Sequence, residues 1–212
     1  SLTSPNEYGL VWRPDEIRAV AEVAKADGLA VHLDGARFAN GLAALGCTPA
    51  EATWKAGVDV MSFGGTKGGC LMAEAIVAFD PALRDKLAYL RKRAGQLVSK
   101  NRLIGAQFEA WLDGGHWLAL ATHANAMAAR LAAAIDRAAD LRLAWKPQAN
   151  EVFVFMSSER AAALEAAGAR FHDWSTAALA PEDAPRDGEK LWRLVTSFAT
   201  TEAEIEAFAA LL

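Results

Sequence analysis

Apolar positions recur at helical spacing through Pro14-Asp-Glu-Ile-Arg-Ala-Val-Ala-Glu-Val-Ala-Lys-Ala-Asp-Gly28. Proline at the start, acids in the first turn and glycine at the end frame that run, and together they predict a helix. The period then changes. Residues 29–34 form a short apolar run that predicts a buried strand with Asp34 at its carboxyl end. Thr48-Pro-Ala-Glu51 has the form of a capping box and predicts a short helix closing near Gly57. Residues 58–63 and 74–79 read as two further strands. Helix alternating with strand across short turns predicts an α/β sheet of mainly parallel strands, which binds ligands at the carboxyl ends of those strands. Ser1-Leu-Thr-Ser reads as the end of a buried strand entered without a lead-in, so the expectation is that further chain precedes it.

From Pro81 to about Ala139 the pattern is helical and rich in alanine, broken once at Asp113-Gly-Gly115. Short strands are expected at 141–145, 152–156, 171–174 and 191–197, with a helix at 159–167 between the second and third. Thr201-x-x-Glu204 caps a last helix running to Leu212. The expected organisation is a large α/β domain over 1–117, then a connecting helix and a smaller α+β domain over 118–212. No internal repeat interrupts this plan.

At 212 residues, 53% hydrophobic and 23% charged, the chain has the composition of a folded globular protein. A net charge of −4 argues against nucleic acid or an anionic membrane as the main partner. No uninterrupted apolar run approaches the ~20 residues of a membrane span, and no signal-peptide pattern opens the chain. Cys47 and Cys70 stand in no metal-ligand or redox spacing, so reduced thiols and a cytoplasmic location are expected. The histidines (His32, His116, His123, His172) show no paired spacing, and metal catalysis has no support.

Candidate chemistry centres on Ser62-Phe-Gly-Gly-Thr-Lys67-Gly-Gly69, where a strand ends in glycines and delivers one lysine to a turn. Most lysines are solvated surface residues. Flanking glycines that permit close approach make this one a candidate Schiff-base nucleophile for an aldehyde cofactor such as pyridoxal phosphate. That chemistry needs an acid to keep the pyridine nitrogen protonated. Asp34, at its own strand end and followed by the small residues Gly35 and Ala36, is suited to it. The two stand 33 residues apart, room for one strand–helix–strand crossover. Arg193 lies on a later strand, and an arginine there is ordinarily half of an ion pair.

His32-Leu-Asp34-Gly-Ala-Arg37-Phe-Ala-Asn40, Ser62-Phe-Gly-Gly-Thr-Lys67-Gly-Gly, Ala73-Glu-Ala-Ile-Val-Ala-Phe79-Asp-Pro and Lys92-Arg-Ala-Gly-Gln-Leu-Val-Ser-Lys100 occur in this order. They resemble the low-specificity L-threonine aldolases, fold-type-I enzymes of the aspartate-aminotransferase kind that use pyridoxal 5′-phosphate. Leu191-Trp-Arg193-Leu-Val-Thr-Ser197 resembles the family's carboxyl-terminal substrate-binding strand. The resemblance implies part of the fold-type-I large domain followed by the smaller domain. It implies that Lys67 forms the imine and that Asp34 pairs with the pyridine nitrogen. Arg37 would lie near the cofactor's phenolic oxygen or the substrate carboxylate, and Arg193 would clamp that carboxylate. Ser62 and Thr66 would hydrogen-bond the cofactor. Arg93, Lys100 and Arg102 are candidates to reach a neighbouring subunit's phosphate in a dimer or tetramer. The family's phosphate-binding turn and ring-stacking histidine precede the region matched here. The reaction implied is retro-aldol cleavage of a β-hydroxy-α-amino acid to glycine and an aldehyde. The alternatives are a β-eliminating lyase or aminotransferase sharing the lysine and aspartate, and a catalytically incomplete chain with an assembly role.

Overall fold

The computed structural model describes residues 1–212, and its strands β1 (Leu2–Thr3), β2 (His32–Gly35), β3 (Val60–Gly64) and β4 (Glu74–Ala78) form one sheet in that order. β1–β2 and β2–β3 are parallel, while β4 returns antiparallel to β3. The crossover from β1 to β2 is α1 (Pro14–Ala26), and that from β2 to β3 runs through α2 (Phe38–Leu45). α1 begins at its proline as expected. The backbone N–H of Arg13 donates to Glu16 at 2.8 Å, satisfying one of the groups a helix start leaves open. α2 was not anticipated, because its eight residues Phe-Ala-Asn-Gly-Leu-Ala-Ala-Leu carry no capping side chain and include a helix-weakening glycine. The Thr48–Glu51 capping box does form, with Thr48 N–H donating to Glu51 at 2.8 Å. The residues after it close as turns and one 3₁₀ turn at Trp54–Ala56, since Gly57 arrives before a full helix can propagate.

The sheet alternates sharply between its faces. Leu33, Met61 and Phe63 point into a core with Ile17, Ala21, Phe38, Leu42, Trp111 and Trp117. Asp34, Ser62 and Ile76, in direct register across β2, β3 and β4, share the other face with His32, and Ile76 is 59% exposed there.

The helical stretch after β4 is not continuous. α3 (Pro81–Arg93), capped by Asp80, ends before a turn segment at 94–101, and α4 (Arg102–Leu112) and α5 (His116–Ile135) flank a break at Gly114. Taken together, Arg102–Ile135 is long and apolar enough by length and composition to cross a membrane, although it is broken at Gly114 and carries Glu109, Asp113 and Arg130. Its apolar positions nonetheless face protein: Trp111, Trp117 and Ala121 lie in one core and Met127, Ala128, Leu131 and Ile135 in a second.

The chain divides into two compact units, Ser1–Thr122 and His123–Leu212. In the second, β5 (Arg142–Leu143), β6 (Glu151–Ser157), β7 (His172–Asp173) and β8 (Glu189–Val195) form an antiparallel sheet ordered β5-β6-β8-β7. α6 (Ser158–Ala166) is capped by Ser157, and α7 (Glu202–Ala209) by the expected Thr201–Glu204 box. Val152, Val154, Met156 and Leu194 pack with α5, α6 and α7. The opposite face carries Glu151, Phe153 and Arg193, which are brought side by side because Phe153 is the direct partner of Arg193.

Candidate active site

Lys67 sits in a 3₁₀ turn, Thr66–Gly68, that begins two residues beyond the end of β3. The turn is tied down on three sides. Gly65 N–H donates to Ala73 O at 2.8 Å, Cys70 N–H donates to Gly65 O at 3.0 Å, and Ala73 N–H donates to the Thr66 hydroxyl at 3.1 Å. Beneath the turn lies the indole of Trp111, whose Nε1–H donates to Gly68 O at 2.9 Å. A Cβ at Gly68 would come within 2.6 Å of Trp111 Cζ2, so only glycine fits against that ring. Trp111 is fixed in turn by Phe63, Phe108 and Trp117, with ring centroids 5.4–6.1 Å away. The result is a rigid backbone loop with the Lys67 side chain exposed on it. Burial pushes the neighbouring Cys70 thiol above its ordinary value, aided by the Glu74 carboxylate.

Asp34 is the register partner of Ser62 on the adjacent parallel strand, so Asp34 and Lys67 both belong to the carboxyl end of the same strand pair. Asp34 Oδ1 accepts from Ala36 N–H at 3.0 Å, which fixes the carboxylate over its own turn. At Gly64 a Cβ would stand 2.9 Å from both Ala36 Cα and Ala36 O, so the Asp34-Gly-Ala-Arg turn and the end of β3 are in backbone contact. Ser62 Oγ and His32 Nε2 lie 2.9 Å apart, and His32 Nδ1 lies 2.8 Å from Ser1 Oγ. His32 thus shares the polar face with Ser62. Arg37 is half-buried at the amino-terminal boundary of α2. An amine, a carboxylate, two hydroxyls and an arginine around two small residues form a donor set that fits pyridoxal phosphate: a nucleophile for its aldehyde and an acid for its ring nitrogen.

Arg193 lies in the second unit, on β8. Its guanidinium carbon is 3.8 Å from the centre of the Trp174 ring, and its Nη1 is 3.4 Å from Oε1 of Glu151, which is 1% exposed. Neither Glu151 nor Trp174 had been singled out in the sequence. A legible signal was present for the first: an acid opening the apolar run Val-Phe-Val-Phe-Met must find a cation if the strand is buried. Arg93 closes α3, Lys100 lies in the turn segment and Arg102 opens α4; all three are exposed. His123 Nε2 lies 2.7 Å from Thr200 O.

The model of the beta-eliminating lyase family matches residues 1–159. A low specificity L-threonine aldolase of a Pseudomonas species is 40% identical over 99% of this chain and 57% of its own length. That of Pseudomonas aeruginosa is 45% identical over 81% of this chain and 50% of its own. The chain therefore spans little more than half the length of the curated relatives it matches. Among solved structures, a threonine aldolase from Leishmania major superimposes with a TM-score of 0.86 at 29% identity, covering all of this chain and 60% of that one.

Proposed function

This chain belongs to the beta-eliminating lyase family, and from that premise we propose that it serves the pyridoxal-phosphate-dependent cleavage of L-threonine, L-allo-threonine or related β-hydroxy-α-amino acids to glycine and an aldehyde. Its architecture is that of part of the fold-type-I large domain with a smaller α+β domain. The observation that carries the reading is the strand pair β2–β3, which gathers Asp34 and the Lys67 turn at one carboxyl end. The naming of the 40% and 45% identical relatives as threonine aldolases supports the choice of substrate.

When bound, the cofactor supplies an aldehyde that condenses with amines and a ring that takes up the electron pair left as Cα–Cβ breaks. Lys67 provides the amine that holds it, and the rigid glycine turn presents that amine without a neighbouring side chain in the way. Asp34, pinned by the Ala36 N–H, keeps a proton on the ring nitrogen. Ser62 and Thr66 offer hydroxyls to the cofactor, and Arg37 stands by for its phenolic oxygen or the substrate carboxylate. Arg193 clamps that carboxylate with two parallel N–H donors. Arg93, Lys100 and Arg102 reach the phosphate of a second copy of this chain in a homo-oligomer. Supporting that assembly, α3 buries no residue, and Tyr89, Leu90, Leu97, Val98 and Leu103 are exposed beside those cations. Free thiols at Cys47 and Cys70 accord with a cytoplasmic location.

The test is product analysis. Holoenzyme given L-threonine should release glycine and acetaldehyde in equal amounts; ammonia with a keto acid in their place would assign β-elimination, the family's other chemistry. Lys67→Ala should abolish both the turnover and the visible absorption band of the imine. A band that survives this substitution would mean another amine holds the cofactor.

A further inference from the structure

Arg193 is gripped in a particular way. Of its three nitrogens, Nη1 faces the buried Glu151 carboxylate at 3.4 Å, whereas Nε is buried and makes no hydrogen bond. In a planar guanidinium Nη1 lies on the Cδ side, so Nε–H and one N–H of Nη2 point together from the opposite edge. That edge is the fork that matches a carboxylate. The Trp174 ring, 3.8 Å from the guanidinium carbon, restrains the tilt of the plane, and Trp174 is itself registered on the sheet by its N–H to Leu191 O at 2.8 Å.

We propose that Glu151 and Trp174 are positioning residues for Arg193, holding its guanidinium so that the Nε–Nη2 edge is presented to the α-carboxylate of an amino acid. This rests on the reading of Arg193 as the carboxylate clamp. A long side chain held by one carboxylate and one ring keeps its fork ready. Released from either, it samples other rotamers, and every carboxylate bound must first reorder it. The α-carboxylate is present unchanged in substrate, transition state and glycine, so the loss falls on binding and not on the chemical step.

The measurements are KM and kcat for L-threonine with the holoenzyme, and the affinity for glycine by calorimetry. Trp174→Ala and Glu151→Gln should each raise KM and weaken glycine binding about tenfold, with kcat changed by less than about threefold. Trp174→Phe, which keeps an aromatic face, should recover most of the loss. In an Arg193→Lys background, Trp174→Ala should add less than about twofold. An Arg193→Lys enzyme with a raised KM, beside Trp174→Ala and Glu151→Gln enzymes with normal KM and glycine affinity, overturns the positioning role alone. An unchanged KM in Arg193→Lys sinks the clamp beneath it. Trp174 is only half-buried, so its variants decide the matter even where Glu151→Gln fails to fold.

Discussion

At the scale of single residues, the candidate site is built as much from absent side chains as from present ones. Gly68 lets the indole of Trp111 lie against the backbone of the lysine turn and take the Gly68 carbonyl. Gly68→Ala places a methyl 2.6 Å from a ring that cannot retreat, because Phe63, Phe108 and Trp117 pack around it. The expected cost is about 1–3 kcal/mol, typical of overpacking a filled site, read by denaturant unfolding and accompanied by weaker cofactor retention. Full stability in Gly68→Ala would show that Trp111 does not hold the turn. Lys67 and Asp34 were legible in the sequence because each stands where a strand period gives way to small residues. Trp111 was not: it meets Gly68 across 43 residues, and nothing local in an alanine-rich helix marks one tryptophan as the support of a turn. Glu151 and Trp174 escaped for the same reason, since their meaning depends on which strand lies beside β8.

Among elements, the strands and helices with strong signals at their ends formed close to where periodicity placed them: α1 behind its proline, β2 and β3 between glycines, α7 behind its capping box. The residues after Thr48 and the stretch 94–101 did not become helix, because a cap and helical composition cannot offset early glycines at 57 and 95. β5 shows how a two-residue strand is retained at a sheet edge. Arg142 lies over the Phe155 ring at 4.2 Å and its Nη2 donates to Glu189 at 2.6 Å, linking β5 to β8 across β6. The Arg142 hydrogen bond, followed by that from the Arg186 N–H, holds the Glu189 carboxyl below its ordinary value against the opposing effect of burial. A carboxyl lowered in the folded state stabilises at pH above its unfolded value, near 4.5, and the contribution fades as pH falls through the lowered folded value. Glu189→Gln should therefore destabilise the protein by about 1 kcal/mol near neutral pH, and the difference from the parent should shrink as the acid limb is descended. Urea midpoints measured across that range check the sign; a gap that widens towards acid contradicts it.

For the whole molecule, the surface left open says more about partners than the net charge of −4. The net charge argued against nucleic acid but hid a local reversal: Arg91, Lys92, Arg93, Lys100 and Arg102 lie within twelve residues of one another, among the exposed Tyr89, Leu90, Leu97, Val98 and Leu103. Tyr89 and Leu90 stand on α3, which buries no residue, and exposed apolar side chains of this size are what the proposed assembly would cover. The basic residues beside them suit an anionic group such as the cofactor phosphate of a second copy. Leu97→Asp combined with Val98→Asp, at positions 53% and 50% exposed, should cost the folded chain less than about 0.5 kcal/mol. It should nonetheless lower the mass seen by sedimentation velocity towards that of one chain. Val23→Asp, on α1 and 67% exposed, serves as the control and should leave the mass unchanged. If the three cations reach across that interface, the dissociated variant also loses cofactor on dilution, whereas the control does not. An assembly of unaltered mass in the double variant would remove this face from the interface and, with it, the assignment of Arg93, Lys100 and Arg102 to a neighbour's phosphate.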